Sequence, residues 1–404
     1  MKVCVIGGGA SGMMAAITAA EKGSEVTLIE HGERLGKKIL QTGNGKCNLT
    51  SACLKKNDYN CPDDPVFSAV MKKFGVNKTL SFFESIGVFS FIGKNDGYYP
   101  RSEQAAVVND ALRRKLEHAG VKVLTDFKNY NVERLHKEFV ISRGREEYRF
   151  DRLILACGSK AAPITGSDGS GYKIASEFGH TINKVLPALT FLQCQEGFFK
   201  SISGVRQKGR ATAFVGQTLV DSKEGEIQFT ELGISGIPIF QLSRILTVPL
   251  SQKRKVYVSI DFATDYSEQE LGAYLAGFQE RMPAANCDEI LSGFVNKKLA
   301  VQIRKNCGFE HTKVLRDMTE EDFERLSGGL KEFTVTVIKT GGFDQAQICV
   351  GGVSLEELNQ NLESKLVPGL FFAGEMLDVD GDCGGFNLQW AWSSGYVAGL
   401  GASM

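Results

Sequence analysis

The chain begins with MKVCVIGGGASGMMAA (residues 1–16), and EVTLIE (residues 25–30) follows after one helical stretch. Residues 2–6 predict a short buried strand, and residues 10–22 predict a helix with small residues on one face. The second stretch predicts another strand, which ends at Glu30. A strand, a glycine-rich turn, a helix and a strand that ends in an acid, in this order, are typical of a dinucleotide-binding βαβ unit.

The turn fits the pattern G-x-G-x-x-G. Its first glycine permits a tight turn, its second lets a pyrophosphate touch the backbone, and its third lets the helix pack closely on the sheet. The free N–H groups at the start of the helix favour phosphate, and Glu30 is placed to accept hydrogen bonds from a ribose. An acid there disfavours a 2′-phosphate, so FAD or NAD is preferred over NADP. The predicted contacts of this unit are Gly7, Gly9, Ala10, Ser11, Gly12 and Glu30.

The next segment, ERLGKKILQTGNGKCNLT (residues 33–50), is too polar and too rich in glycine for a core element. A solvated basic loop is the ordinary interpretation of such a segment. The density of glycine and asparagine favours a loop that meets phosphate and ribityl oxygens. Its predicted cofactor contacts are Lys38, Thr42, Gly43, Asn44 and Asn48.

Near the other end stands GLFFAGEMLDVDGDCGGFNLQWAWSSGYVAG (residues 369–399). It predicts a buried strand over residues 370–373, and ligands of open α/β sheets bind beyond the carboxyl ends of such strands. An apolar helix over residues 387–400, interrupted by Gly395, then presents its N-terminus, which suits the negative charge of a reduced flavin. A single long cofactor held from both chain ends is FAD rather than NAD. The predicted contacts here are Gly374, Glu375, Asp378, Gly385, Asn387 and Leu388.

Two further strands are predicted to reach the same cofactor. The strand at residues 121–124 lies on the expected adenine side and contributes Val123. The buried strand RLILA (residues 152–156) is followed by a backbone turn close to the cofactor, which adds Ala156 and Gly158.

Six blocks of sequence, in order along essentially the whole chain, resemble the BaiN-like (YhiN-like) family of FAD-dependent oxidoreductases. They are VIGGGASGMMAA, GKKILQTGNGKCNLT, DGYYPRSEQA, LILACGSKAAPITGSDGSGY, FTELGISG and GEMLDVDGDCGGFNLQWAWSSG. The resemblance implies non-covalent FAD and activities such as reduction of conjugated double bonds in 3-oxo bile acid intermediates or oxidation of aminoacetone. Two positions depart from the family pattern: Tyr98 stands where a basic residue is usual, and Glu231 where a histidine is common.

The expected fold class is α/β: a Rossmann-like FAD-binding domain formed by both chain ends, with an inserted β-rich domain that carries a small helical insert. The expected boundaries are 1–186 and 343–404 for the FAD-binding domain. The β-rich domain is expected over 187–264 and 331–342, and the helical insert over 265–330.

A flavin carries out the redox chemistry itself, so the sequence need not show a catalytic triad. The DGYYPRS segment (residues 96–102) offers Tyr98, Tyr99 and Arg101 as candidate catalytic residues. The arginine is suited to hold a substrate carbonyl or carboxylate, and a tyrosine to protonate a carbon as hydride arrives. An ordinary loop with packed tyrosines is the equal alternative. Cys47, Cys157 and Cys383 are interpreted as packing thiols.

The composition limits the partners. Lys+Arg and Asp+Glu both number 47, and this neutral balance speaks against a nucleic-acid partner. The ten cysteines form no C-x-x-C pair, which favours a reducing cytoplasm. The five histidines show no H-x-x-x-H spacing, so no metal is expected, and no apolar run is long enough to span a membrane. The sequence does not determine the oligomeric state.

The preferred hypothesis is an NAD(P)H-dependent flavin reductase of an activated C=C bond in a small molecule, for example a 3-oxo-4,6-diene steroid or bile acid. Because only one dinucleotide fingerprint is present, NADH or NADPH is expected to be a transient reductant that visits the substrate cavity. The alternatives left open are an oxidase of a small amine resembling aminoacetone, an FAD-dependent RNA-modifying protein, and a flavin-bound regulatory protein.

Overall fold

A computed structural model describes residues 1–61, 64–93 and 96–404. The chain forms two compact units, Met1–Leu186 with Gln347–Met404, and Pro187–Ala346. The strands are β1 Lys2–Ile6, β2 Glu25–Ile29, β3 Thr50–Ser51, β4 Tyr59–Asn60, β5 Ser90–Ile92, β6 Gly97–Pro100, β7 Lys122–Leu124, β8 Asn131–Leu135, β9 Glu138–Arg143, β10 Glu146–Phe150, β11 Arg152–Leu155, β12 Leu186–Ala188, β13 Leu192–Cys194, β14 Arg206–Val215, β15 Thr218–Phe229, β16 Gly233–Ser235, β17 Val256–Asp261, β18 Phe333–Thr340, β19 Ile348–Val350, β20 Leu370–Phe372 and β21 Asp380–Gly381.

The helices follow in the same order along the chain. They are α1 Ala10–Glu21, α2 Pro65–Lys73, α3 Val76–Ser85, α4 Ala105–His118, α5 Ser170–Glu177, α6 Phe199–Ile202, α7 Ile237–Ser251, α8 Glu268–Ala276, α9 Phe278–Arg281, α10 Cys287–Leu291, α11 Lys297–Asn306, α12 Glu320–Lys331 and α13 Phe386–Ala402.

A five-stranded parallel sheet forms the centre of the first unit, with strand order β20-β11-β1-β2-β7. Val5 of β1 pairs with Ile154 of β11, which pairs in turn with Phe371 of β20. All three side chains are buried, as expected for strands covered on both faces. The sheet therefore contains strands from both ends of the chain, β1 and β20, which confirms the predicted Rossmann-like domain.

The second unit is a closed antiparallel barrel of strands β13-β16-β15-β14-β17-β18. Alternate residues on its strands point inward, and those of β17 are Val256, Val258 and Ile260. Helices α8 to α12 are inserted between β17 and β18. The β-rich insert with its own helical insert, predicted from the change of sequence pattern, is thus present.

The first and last helices of the chain pack closely against each other. A side chain at Gly395 would overlap the carbonyl oxygen of Ser11, and one at Gly399 would overlap that of Ala15. Helix α13 runs without a break from Phe386 to Ala402, so the predicted interruption at Gly395 is wrong. The glycine marks a close helix contact rather than a break.

We expect Gly399→Ala to destabilise the first unit, although alanine is the better helix former by about 1 kcal/mol. The new Cβ would overlap backbone, and overpacking of this kind costs about 1–3 kcal/mol. Thermal unfolding should therefore show a transition lowered by a few degrees. Gly272→Ala in α8 is the matched control, because its Cβ would lie 3.6 Å from Ser327 Oγ, in ordinary contact. A rise in melting temperature for both variants would contradict the close approach.

A buried histidine fixes the segment that precedes β20. His180 Nδ1 lies 2.9 Å from Glu357 Oε2, and its Nε2 lies 2.8 Å from Ser364 Oγ. The serine oxygen already accepts hydrogen bonds from Leu366 N and Val367 N. Its hydroxyl proton must therefore go to Nε2, which requires a neutral imidazole.

Burial lowers the pKa of His180 below the ordinary histidine value of 6.5, and Glu357 only partly opposes this effect. For Glu357, burial acts to raise the pKa, but hydrogen bonds from Thr181 and His180 outweigh it, so the pKa lies below 4.5. As pH falls below 6.5, the unfolded chain takes up a proton at His180 that the folded chain resists. Stability is therefore complete above pH 6.5 and declines below it.

We expect the free energy of unfolding to fall by up to about 1.4 kcal/mol per pH unit in this range through His180. The variant His180→Gln does not titrate and should show a flatter profile between about pH 7.5 and about pH 5.5, measured by urea unfolding. His118→Gln, at an exposed position, is the control and should keep the wild-type slope. An unchanged slope in His180→Gln would contradict this account.

Candidate functional site

Four loops leave the central sheet from the same edge, beyond the carboxyl ends of its strands. Gly7 N donates to Ile29 O, and Ala156 N donates to Ile6 O, each at 2.8 Å. Glu30 N donates to Leu124 O at 2.8 Å, and Ala373 N to Leu155 O at 2.9 Å. The predicted contacts that follow β1, β2, β11 and β20 are therefore brought together at one edge.

The glycine-rich turn is tight on the sheet side and open in front of α1. Gly7 has φ +108°, and a side chain there would overlap Ala156 O. A side chain at Gly12 would overlap the carbonyl of Gly7. By contrast, no heavy atom lies within 4 Å of a Cβ built on Gly9, and among the described residues no side chain caps α1 there. This open, uncapped helix start, with Ala10 and Ser11 in its first turn, fits a pyrophosphate.

Glu30 is held in place by backbone groups. Its Oε2 accepts from Gly8 N at 2.8 Å and its Oε1 from Gly32 N at 2.7 Å. The side chain is 12% exposed, and His31 Nδ1 lies 3.6 Å from Oε1. A carboxylate can accept about four hydrogen bonds, so each oxygen keeps capacity for a ribose hydroxyl.

Val123 lies in an open cleft of about 490 Å³ between β7, the middle and end of α4 and the segment after Glu30. Leu35 and Val121 supply further apolar surface, and Arg34 and Arg113 line the cleft with planar guanidinium groups. Flat heteroaromatic rings pack well against aliphatic side chains and guanidinium planes. The predicted adenine-side residue is thus accessible in a cleft of suitable chemistry.

Lys38 and Glu375, predicted separately as cofactor contacts, form an ion pair with Nζ 2.5 Å from Oε2. Lys38 also donates to Ala161 O at 3.3 Å. The other oxygen of Glu375 accepts from Ser159 Oγ at 2.6 Å and from Cys349 N at 3.2 Å. The pair joins the loop after β2 to the loop after β20, and Ser159 is a residue of this network that the sequence did not single out.

The TGNG segment adopts an unusual backbone. Gly43 and Asn44 have φ of +56° and +53°, and the Thr42 hydroxyl donates to Ile39 O at 2.6 Å. Asn48 is buried, and its Oδ1 has no hydrogen-bond partner among the described residues. A Cβ on Gly385 would lie 2.8 Å from this oxygen. Asn48 and Gly385, predicted from opposite ends of the chain, are therefore adjacent.

The loop that leads into α13 is held by a side chain of the helix. Gly385 precedes it with φ +94°, and among the described residues no side chain caps this end. Asn387 Oδ1 accepts from Gly381 N, and its Nδ2 donates to Gly381 O, both at 2.8 Å. The Asn387 amide thus holds the loop before the helix in shape, and Leu388 packs against the core.

Three buried side chains of α13 fix the loops at the sheet edge through hydrogen bonds that the sequence pattern did not predict. Trp390 Nε1 donates to Gly374 O at 3.1 Å, and Ser394 Oγ accepts from Gly374 N at 2.9 Å. Trp392 Nε1 donates to Leu49 O at 3.0 Å, beside Asn48. The sequence signal for the two tryptophan contacts is that a buried indole N–H needs a hydrogen-bond acceptor.

Two other predicted cofactor contacts, Asp378 and Gly158, lie against nearby segments of the same chain. Asp378 Oδ2 accepts from Asn183 Nδ2 at 2.7 Å. Gly158 has φ +73°, and a Cβ there would lie 3.2 Å from Ser167 Oγ. Both lie in the loops that follow β20 and β11.

Tyr98 and Tyr99, two of the three candidate catalytic residues, lie in a small sheet in which β6 pairs with β3 and β5. Tyr98 O accepts from Leu49 N at 2.8 Å, which ties this strand to the TGNG loop. The Tyr99 ring lies against that loop, because a Cβ on Gly43 would be 3.5 Å from its Cε1. Arg101 is exposed just after the strand. Tyr99 is therefore a candidate whose ring lies beside the predicted cofactor loop.

Two thiols near this edge, those of Cys157 and Cys47, are not poised as nucleophiles. Burial raises the pKa of Cys157 and of Cys47 to about 12 in each case. Both are protonated at neutral pH, and a neutral thiol is neither an effective nucleophile nor a redox partner. Among the described residues, no group of His, Cys, Asp or Glu is arranged to hold a metal ion, and no helix is long and apolar enough to cross a membrane.

We expect Glu30→Gln to weaken FAD retention about tenfold, because a neutral amide loses the charge-assisted hydrogen bonds that a carboxylate makes. The ratio of flavin to protein after gel filtration measures the effect. Glu25→Gln, at an exposed position at the other end of β2, is the matched control. Equal flavin content in all three proteins would count against Glu30 as a cofactor contact.

Comparison with known proteins identifies the family of this chain and two of its relatives. The family model described as HI0933-like protein Rossmann domain matches residues 1–401. The chain is 39% identical to a 3-dehydro-bile acid delta(4,6)-reductase of Clostridium scindens, over 100% of this chain and 99% of that protein. It is 27% identical to a ribosomal RNA dihydrouridine synthase of Haemophilus influenzae, over 99% of this chain and 98% of that protein.

Among solved structures, a 3-ketosteroid-Δ4-(5α)-dehydrogenase of Rhodococcus jostii RHA1 has a TM-score of 0.47 at 16% identity, covering 100% of this chain and 96% of that one. The family match spans nearly every residue, from the glycine-rich turn after β1 to the end of α13. The chain therefore belongs to the HI0933-like family.

Proposed function

We propose that this FAD-dependent oxidoreductase reduces a C=C bond conjugated to a carbonyl group in a small, steroid-like molecule, with NADH or NADPH as the reductant. One observation carries the proposal: the full-length relative at 39% identity is a reductase of a 3-dehydro bile acid. The site agrees, because its open helix start and fixed carboxylate suit FAD, and its buried thiols leave the redox chemistry to a flavin.

The residues that would hold FAD follow from the geometry of the first unit. The start of α1 at Gly9 would hold the pyrophosphate, Glu30 would accept from the ribose, and the cleft at Val123 would hold the adenine. The TGNG loop, Asn48 and the uncapped start of α13 at Gly385 would hold the flavin end. When bound, FAD supplies the hydride that a C=C reduction requires.

The protein's own part in the reaction is to orient the substrate and to supply a proton. Hydride addition to a conjugated C=C bond places charge on the carbonyl oxygen, so a donor there lowers the barrier. Arg101 carries a permanent positive charge, and the Tyr98 and Tyr99 hydroxyls are the nearby proton donors. We assign the carbonyl to Arg101 and proton delivery to Tyr99, which lies against the TGNG loop.

A second candidate is the reduction of uridine in RNA. The relative at 27% identity is a ribosomal RNA dihydrouridine synthase and matches along almost the whole chain. Dihydrouridine is uridine with one C=C bond saturated, and that bond is conjugated to a carbonyl. Both relatives thus act on the same kind of bond, and they differ in the molecule that carries it. The neutral charge of this chain and the higher identity to the bile acid enzyme favour the small molecule.

The first test follows the flavin absorbance of the FAD-loaded protein under anaerobic mixing with NADH or NADPH. We expect fast bleaching with one of the two, and reoxidation on addition of a 3-oxo-4,6-diene steroid. Saturated 3-oxo steroid is the matched control, because it has the same skeleton without the C=C bond. Tyr99→Phe should slow the reoxidation about 10²-fold and leave the reductive step unchanged, as expected for a general acid.

The outcomes separate the candidate functions. Absence of bleaching with both nucleotides would contradict the NAD(P)H-dependent reductase. Small amines would then be tested as electron donors, with oxygen as the acceptor. Bleaching without reoxidation by any steroid, but with turnover on a uridine-containing ribosomal RNA fragment, would establish the second candidate.

A further inference from the structure

Two neighbouring aliphatic side chains are exposed at the tip of the hairpin of β14 and β15. Leu219 is 58% exposed and Val220 is 37% exposed. In a regular strand, successive side chains point to opposite faces of the sheet. Here the register of β15 against β14 shifts between Ala213 and Phe214, so Val220 has no partner in β14. Bulges of this kind re-aim a side chain, and this one leaves both aliphatic side chains in solvent.

Helix α7 runs along β15 and ends beside this tip. At its start, a Cβ on Gly225 would lie 2.9 Å from Pro238. Just beyond its end, Lys255 O accepts a hydrogen bond from Gly216 N in the hairpin turn at 2.8 Å. In the last turns of α7, Val248 is 41% exposed. The end of the helix therefore brings a third exposed aliphatic side chain to the same end of the barrel.

Three exposed cations follow α7 in direct succession, Lys253, Arg254 and Lys255. Their backbone is fixed by the end of the helix, because Lys253 N donates to Leu250 O at 2.9 Å and Arg254 N donates to Pro249 O at 3.0 Å. The turn therefore presents the three side chains from a defined position. We call the three cations and the three exposed aliphatic residues the hairpin surface: Leu219, Val220, Val248, Lys253, Arg254 and Lys255.

The charge of the hairpin surface is one-sided. The two segments that form it, residues 214–220 and 247–256, contain no aspartate or glutamate. The next acid along β15 is Asp221, and it is paired with Lys223 at 3.2 Å. The three cations beside the aliphatic tip are therefore not neutralised by acids of the same segments.

The strand next to β17 continues this pattern. Beyond the residue that pairs with Val256, β18 presents the exposed Ile338 and Lys339. Glu196 is partly buried, and its Oε1 accepts from a backbone N–H of β18 at 2.7 Å. Glu231 is exposed, but it precedes β16, which β13 separates from β18. Around the hairpin tip, cations therefore outnumber acids.

This combination defines the chemistry of a partner. Exposed aliphatic side chains gain free energy when they enter a hydrocarbon phase, and cations gain free energy beside anionic headgroups. A bilayer leaflet that contains anionic phospholipid offers both. RNA offers the negative charge without an apolar phase, and proteins that bind single strands stack the bases on aromatic rings rather than on aliphatic side chains.

We propose that the hairpin surface docks the protein on an anionic lipid bilayer, with its three aliphatic side chains in the interfacial layer and its three cations at the headgroup phosphates. The contact is interfacial, because only a hairpin tip and the end of one helix take part in it. It is independent of the proposed redox function and adds a partner to it. Both contributing elements belong to the barrel unit, Pro187–Ala346.

The test is cosedimentation of the FAD-loaded protein with vesicles of phosphatidylcholine and phosphatidylglycerol in equal amounts, and with vesicles of phosphatidylcholine alone. We expect the wild type to pellet with the anionic vesicles and to be released by added salt. Leu219→Asn should lower the partition coefficient about fivefold, because it removes apolar contact with the interface. Leu232→Asn is the matched control, since Leu232 is 53% exposed in the same unit, and it should pellet as the wild type does.

A second pair of variants isolates the role of the cations. Arg254→Gln combined with Lys255→Gln should lower the partition coefficient about 25-fold, at about fivefold for each charge. Lys253 stays unchanged, because its φ is +59° and a substitution there would also alter the backbone. The control removes two exposed cations of α11 in the same unit, Lys297→Gln with Lys298→Gln, and should pellet within about twofold of the wild type.

Melting temperatures of all variants check folding. Val248→Thr keeps a branched side chain of similar size and tests the apolar contact from α7 if Leu219→Asn folds poorly. It should lower the partition coefficient about threefold.

Four results would overturn the inference. The first two are absence of pelleting by the wild type and equal losses in Leu219→Asn and Leu232→Asn. The third is binding of an RNA fragment that depends on Arg254 and Lys255 but not on Leu219, without pelleting, which would identify a polyanion as the partner. The fourth is a dimer in gel filtration without lipid that Leu219→Asn dissociates, which would identify a second copy of the chain.

Discussion

The close contact between α1 and α13 is the constraint on which the first unit depends. Two carbonyl groups of the first helix lie where side chains at Gly395 and Gly399 would otherwise be. This contact lets Trp390 and Ser394 reach the backbone of Gly374, and it lets Trp392 reach Leu49. The loops at both ends of the cofactor site are therefore positioned by one pair of helices from opposite ends of the chain. A change in helix separation would move the loops together.

The electrostatics of the site follow from that arrangement. The starts of α1 and α13 both lack a capping side chain among the described residues, so both leave backbone N–H groups for a ligand. The helix dipoles favour negative charge at these two ends, which is what the proposed binding of the pyrophosphate at one end and the reduced flavin at the other requires. Lys38 is already neutralised by Glu375, so this cation serves to join two loops more than to attract an anion. The backbone, more than the side chains, provides the positive potential.

Sequence patterns predicted the sheet and the edge of the site because these depend on local spacing. The glycine pattern after β1, the acid after β2 and the glycine pair before α13 each carry a local conformational requirement, and the structure brings them to one edge. The Lys38–Glu375 pair, the Ser159 contact and the indole hydrogen bonds join residues far apart in sequence. No local pattern reports which distant partner a polar side chain meets. Gly395 is the opposite case. Its low helix propensity predicts a break in α13, but its role is set by the close contact with Ser11 of α1, which no local pattern reports.

Under the proposed function, the type of bond reduced and the identity of the substrate are determined by different parts of the protein. A flavin with a fixed carboxylate, two open helix starts and a nearby tyrosine suits any C=C bond conjugated to a carbonyl. Nothing in that arrangement distinguishes a steroid from a pyrimidine. Discrimination must therefore come from surfaces that contact the rest of the molecule, where an apolar skeleton and a charged backbone require opposite chemistry.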